Sequence, residues 1–191
     1  MSREKILHRL RQNSPLPVPP PGQFQENTVL AKEKLIEVFS RSLKQAGGEC
    51  VEISNADDLY SWLQIHYPGA VDFTRGDAGK TYSVGCAKEK LERLETVVLE
   101  GRFGVAENGA VWIDDSNFPH RLIPFIAQRL IIILHKNQLV SDMHEAYNRL
   151  DLTGTGFGLF ICGPSKTADI EQSLVYGAHG AMEMGVVLKS S

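Results

Sequence analysis

The sequence predicts an α/β fold, three-layer and α/β/α in arrangement, around an open and largely parallel sheet with one hairpin. Three observations carry that expectation. Short apolar runs of strand length, such as Arg129 to Leu134 and Leu159 to Cys162, alternate with segments of helical period. Asn108-Gly109 is the strongest two-residue hairpin signal in the chain. The stretch Gly163-Pro164-Ser165-Lys166-Thr167-Ala168-Asp169-Ile170-Glu171 follows an apolar run, as a strand that turns into a helix would.

In chain order, residues 2 to 13 pattern as a short amphipathic helix with Ile6, Leu7 and Leu10 on one side. Pro15, Pro17, Pro19, Pro20 and Pro21 then impose an extended linker. Residues 1–26 are thus an N-terminal arm and 27–191 the α/β domain; the arm either packs on its own domain or reaches a partner, because so short a helix must dock to be stable. A long helix is expected over 27 to 46, stopped by Gly47-Gly48. Cys50 to Ile53 is a strand, Ser54 with Asp57 a capping box, and the helix it opens ends before Pro68. Ala70 to Phe73 is a strand, Thr74 to Gly85 a loop, and Ala87 to Leu94 a charged helix. Thr96 to Leu99 and Ala110 to Ile113 are strands on either side of the hairpin signal. A turn bracketed by Pro119 and Pro124, a buried strand from Arg129 to Leu134 and a helix from Val140 to Leu150 follow. Leu159 to Cys162 reads as a buried strand. Beyond Gly163, Ile170, Leu174 and Gly177 share one helical face, and Met184 to Leu188 is the last strand.

Composition narrows the function classes. Of 191 residues, 20 are Lys or Arg and 23 are Asp or Glu, a formal net charge of −3. That gives no basic footprint for nucleic acid. Cys50, Cys86 and Cys162 are scattered with no C-x-x-C pair, so no intrinsic metal site or iron–sulfur framework is expected. The N-terminus is charged and lacks an apolar core, and no apolar run approaches the length of a membrane span. A cytoplasmic, soluble protein is expected.

Two nucleotide-like motifs are decoys. Gly154-Thr155-Gly156-Phe157-Gly158 precedes a strand, whereas a dinucleotide fingerprint follows one. Gly158 to Thr167 has Pro164 where a P-loop lysine would follow glycine. The Gly163–Glu171 turn has two readings. As plain structure, Ser165 or Thr167 caps a helix whose dipole Asp169 and Glu171 complement. As a site, helix-start amides with Ser165, Lys166 and Thr167 receive an anion or carboxylate. His179, in Ala178-His179-Gly180, is either a core histidine or a ligand or acid/base group. Glu107 is either an exposed hairpin residue or a base or acyl-accepting nucleophile at a cleft. Arg121, beside His120, suits bidentate contact with a substrate carboxylate.

Gly-Arg-Phe-Gly-Val-Ala-Glu-Asn-Gly-Ala-Val (101–111), Arg121 to Phe125, Arg129 to Leu134, the Gly163–Glu171 stretch and Gly-Ala-His-Gly (177–180) together resemble the lactate-utilisation (LUD) domain family, over roughly residues 28 to 190. The resemblance implies a fold similar to that of glucosamine-6-phosphate isomerase, ribose-5-phosphate isomerase and CoA-transferases. It also implies a place in a three-protein system oxidising L-lactate to pyruvate, with iron–sulfur clusters on the partner proteins. Two departures stand out: Ala-Glu-Asn-Gly-Ala where the family commonly has Ala-Glu-Thr-Gly-Thr, and His-Gly-Ala where it has His-Gly-Pro.

The expected function is therefore a subunit of an L-lactate-oxidising system, with a small anionic metabolite in a pocket formed by Gly163, Ser165, Lys166, Thr167, Asp169, Glu171 and Arg121. Glu107 and His179 are the candidate catalytic groups. No cofactor is intrinsic to the chain. The alternatives are an enzyme acting on a sugar phosphate or CoA ester through Glu107, and a ligand-binding module without chemistry.

Overall fold

Helices and strands are interspersed through the chain, and most fall where the apolar periodicity puts them. The computed structural model describes residues 3–12, 31–75, 78–83, 85–150, 156–170, 173–177 and 179–190. The proline stretch and residues 27–30 of the expected long helix lie outside them. Helix α1 (Arg3–Gln12) leaves Ile6 and Leu7 exposed. Helix α2 (Lys32–Gln45) buries Phe39 and Leu43 completely. It ends at Gly47-Gly48: the Gly48 amide donates to the Leu43 carbonyl and the Gly47 amide to the Lys44 carbonyl, each at 2.9 Å, pairing two last-turn acceptors.

Strand β1 (Glu49–Ile53) leads to α3 (Ala56–His66). The cap is Asn55, whose side chain accepts from the Asp58 amide at 2.8 Å, so the expected Ser54–Asp57 box is one residue out of place. After β2 (Val71–Asp72) come two single-turn helices. One, α4 (Ala78–Thr81), lies inside the expected loop, and α5 (Lys88–Leu91) is all that forms of the 87–94 helix. Then follow β3 (Thr96–Glu100), β4 (Phe103–Val105), β5 (Ala110–Asp114), α6 (Ile123–Ile126), β6 (Arg129–His135) and β7 (Leu139–Val140). Helix α7 (Met143–Arg149) starts three residues later than expected, where the Asp142 side chain accepts from the Glu145 amide at 2.9 Å. The last elements are β8 (Gly158–Ile161), β9 (Lys166–Ile170), β10 (Ser173–Tyr176) and β11 (Glu183–Lys189). Among the described residues no helix is long and apolar enough to cross a membrane.

The main sheet is five-stranded and parallel throughout, in the order β1-β11-β6-β3-β2. Its register sorts side chains by face. Cys50, Val186, Ile132 and Leu99 stand in one row, and Val51, Val187 and Ile133 in the next. The first row belongs to the larger buried cluster, shared with Phe39 and Leu43 of α2. The second packs with Leu59 and Leu63 of α3. Alternation along each strand thus supplies both cores.

A second sheet, ordered β7-β4-β5-β8, lies on the α2 side and sends Val111 and Ile113 into the larger core. The α/β class with a parallel central sheet is as expected, but one of the layers contains this extra sheet as well as helix. Asn108-Gly109 does sit in a hairpin, joining β4 to β5 rather than the expected Thr96–Leu99 strand to β5. The Gly109 amide donates to the Val105 carbonyl at 2.9 Å, making a four-residue turn over 106–109. Gly109 has φ +75°, and a Cβ there would sit 2.4 Å from the Leu43 amide nitrogen, so the turn presses directly onto α2.

Candidate functional site

Strand β8 is half-buried and forms one edge of the second sheet, so Gly163 follows an edge strand instead of the buried one expected. Gly163 has φ +71°, and an added Cβ would lie 2.5 Å from the Ala46 carbonyl oxygen. Only glycine lets the backbone reverse this close to the end of α2. The chain then extends instead of coiling. The Ser165 amide donates to the Ala181 carbonyl at 2.8 Å, and the Gly177 amide to the Ser165 carbonyl at 3.0 Å. Residues 166–170 and 173–176 pair antiparallel, Lys166 opposite Tyr176 and Thr167 opposite Val175.

The helix expected beyond Gly163 is therefore a β-hairpin. The match of Ile170, Leu174 and Gly177 to helical spacing has no structural counterpart. With no helix start here, the dipole argument for an anion on these amides falls away, and the Ser165 amide is already bonded.

The hairpin closes on its own base. The His179 amide donates to Ser165 Oγ at 3.3 Å, and Gly180 packs against the Ser165 side chain. This draws Gly163, Ser165 and His179 to one cavity of about 240 Å³, walled also by Cys162, Phe125 and Met184. An open groove of about 430 Å³ continues from it past Leu122, Phe125, Met182 and His179. Three of the expected site residues thus meet. Lys166 is beside them in sequence but directs its ammonium to Gly47, its Nζ lying 2.9 Å from where a Cβ on that glycine would be. Thr167 is half-buried in β9. Asp169 lies in β9 with its side chain outside the described residues, as is all of Glu171.

Arg121 and Glu107 are engaged elsewhere. Arg121 pairs with Asp115 at 2.9 Å and lies over the Phe157 ring, 5.6 Å from its centroid. Glu107 turns to α7, where Oε2 accepts from the Met143 amide at 3.0 Å, while its own amide donates to the Ser141 carbonyl at 3.0 Å. The two sequence motifs still touch, because the Cys162 thiol donates to the Asn108 carbonyl at 2.9 Å. Burial pushes that thiol above its ordinary pKa, with Lys166 opposing the shift, so at neutral pH it is a protonated donor and not a thiolate.

Sequence reasoning did not single out Leu122, Phe125, Cys162 and Met182. The signal for the apolar ones is three-dimensional: Leu122, Phe125 and Met182 are 48%, 41% and 51% exposed, and large apolar side chains gathered at one opening are informative where single ones are not. Among the described residues no group of three or more His, Cys, Asp or Glu side chains is placed to hold a metal ion.

A family model described as the LUD domain matches residues 72–188, more than half of the chain. Lactate utilization protein C of Shouchella clausii is 29% identical over 170 residues, covering 84% of this chain and 74% of that one. The protein of the same name from Halalkalibacterium halodurans is 34% identical over 128 residues, covering 64% of this chain and 52% of its own. A crystal structure of a DUF162 family protein from Deinococcus radiodurans has the same fold, with a TM-score of 0.57 at 14% identity, over 84% of this chain and 99% of that one.

Proposed function

This chain belongs to the LUD domain family, and we propose on that premise that it is a cytoplasmic subunit of a system oxidising L-lactate to pyruvate beside iron–sulfur partner proteins. The observation that carries the reading is the similarity to lactate utilization protein C across 84% of the chain. Three scattered cysteines support placing the clusters on the partners, since a cluster commonly takes four thiolates from one chain. The cavity between Cys162, Ser165 and His179 is the ligand site in this reading, being the place where the expected residues converge beside open volume. The alternative in which Glu107 accepts an acyl group has less support, because its carboxylate is bonded to the start of α7.

Deleting the gene in its host tests the reading. Growth on L-lactate should be lost and growth on pyruvate kept. A tagged copy should restore the first and bring down proteins carrying iron and acid-labile sulfide. Unimpaired growth on L-lactate would overturn the proposal.

A further inference from the structure

The cavity and groove have a composition that a small carboxylate does not match. Among the described residues no Lys or Arg lines either part. Arg121 is paired with Asp115, and Lys166 lies outside the lining with its ammonium beside Gly47, near enough to Cys162 to act on its thiol. An anion seated against Leu122, Phe125 and Met182 would lose hydration with no cation among the described lining residues to replace it. Size points the same way. The two parts share Phe125, His179 and Gly180, so one ligand can span both, and a three-carbon acid would occupy a small fraction of that volume.

The polar side chains are few: Cys162 and Ser165 line the inner cavity, Gln128 the groove, and His179 both. Ser165 Oγ accepts from the His179 amide, and a hydroxyl that accepts still carries one donor hydrogen. The His179 imidazole carries at least one N–H in either tautomer. Phe125 meets Phe157 edge-on at 6.3 Å, which fixes its ring at the opening as a surface for a second flat ring.

We infer that this groove binds a neutral amphipathic molecule of the quinone class. Its ring lies on Phe125, one carbonyl oxygen faces Ser165 and His179, and its apolar substituent runs along Leu122 and Met182. The choice of class rests on the lactate-oxidation reading. L-Lactate loses two electrons and two protons on becoming pyruvate. A quinone takes up the same number of each as its two carbonyl oxygens become hydroxyls, the cluster-bearing partners carrying the electrons between them. Within this reading the chain is the acceptor-side subunit, and lactate binds on another chain.

The test uses the full purified chain with decylubiquinone as probe, followed by calorimetry. Saturable binding is expected, at least tenfold weaker in Met182→Glu and in Phe125→Asp. Both positions are exposed, so thermal melting should show these variants folded. L-Lactate at millimolar concentration should neither bind nor displace the probe. Absence of saturable binding, equal affinity in both variants, or displacement by L-lactate would overturn the inference. The gene deletion separates the two failures. Lost growth on L-lactate without quinone binding removes only the ligand assignment, whereas quinone binding with unimpaired growth leaves a site whose role is not lactate oxidation.

Discussion

Burial alone would push the Asp114 carboxyl up, yet hydrogen bonds from Ser116 and Arg102 hold it below the usual carboxylate range. Arg102 Nε donates to Asp114 Oδ2 at 3.0 Å, the Ser116 amide to Oδ1 at 3.1 Å, and the Ser116 hydroxyl also bonds Oδ1. A depressed folded-state pKa stabilises the protein at pH values above the unfolded-state pKa, which is about 3.9 for aspartate. That contribution is lost as pH falls through the folded-state value. Asp114→Asn should therefore lower stability at neutral pH and flatten its dependence on pH below about 4. The loss should be modest, about 1–2 kcal/mol, because the Arg102 side chain is 47% exposed and partly screened by water. Urea unfolding of both proteins at pH 7 and pH 3 checks this. Parallel stability curves would show that Asp114 carries no linked proton.

At the scale of elements, Glu107 changes the meaning of its hairpin. Helix α7 is short, and its first amides are met by the Asp142 side chain and by Glu107 from a different strand pair. Glu107→Ala should cost about 0.5–2 kcal/mol, the range for losing a helix cap. Glu107→Gln keeps an acceptor oxygen for the Met143 amide and should cost less. Thermal melts of both variants decide, and equal losses would mean that the charge at the helix start matters and not the hydrogen bond. Which elements could be read in the sequence follows the same logic. Runs such as Arg129 to Leu134 are long enough to show that both faces are buried, and α2 shows its period over several turns. Strands β4 and β7 span three and two residues, too few to show any period. The hairpin after Gly163 was hidden for another reason. Its pairing depends on Ser165 reaching Ala181 and Gly177, contacts distant in sequence that leave no local pattern, while three apolar or small residues happened to fit a helix. The convergence of Gly163, Ser165 and His179 was legible because the glycines mark where backbone must pass close to its neighbours. The apolar half of the groove was not, because exposure is a property of the assembled surface.

At the scale of the molecule, position in sequence and position in the fold are inverted at the two ends. Strand β11 is last in the chain but lies between β1 and β6, with Met184 and Val186 in one core, Val187 in the other, and Leu188 fully buried. The sequence shows it as an apolar strand but not its neighbours, since periodicity reports burial and not pairing. The parallel sheet is not continuous until this strand joins β1 to β6, a pairing between segments far apart in sequence. Burying four such side chains contributes about 6–12 kcal/mol at about 1.5–3 each, comparable to the whole stability of a domain, about 5–15 kcal/mol. Helix α1 stands at the other extreme, with Ile6 and Leu7 exposed and none of its described side chains in a buried cluster. Deleting residues 1–26 should therefore shift the melting temperature by less than about 4 °C, the change that about 1 kcal/mol produces in a domain of this size. Deleting residues 183–191 should abolish the cooperative transition altogether. Calorimetry on the two truncated chains makes the comparison. A cooperative melt after loss of β11 would mean that the remaining strands re-pair without it, and a large drop after loss of the arm would mean that α1 docks on the domain in solution.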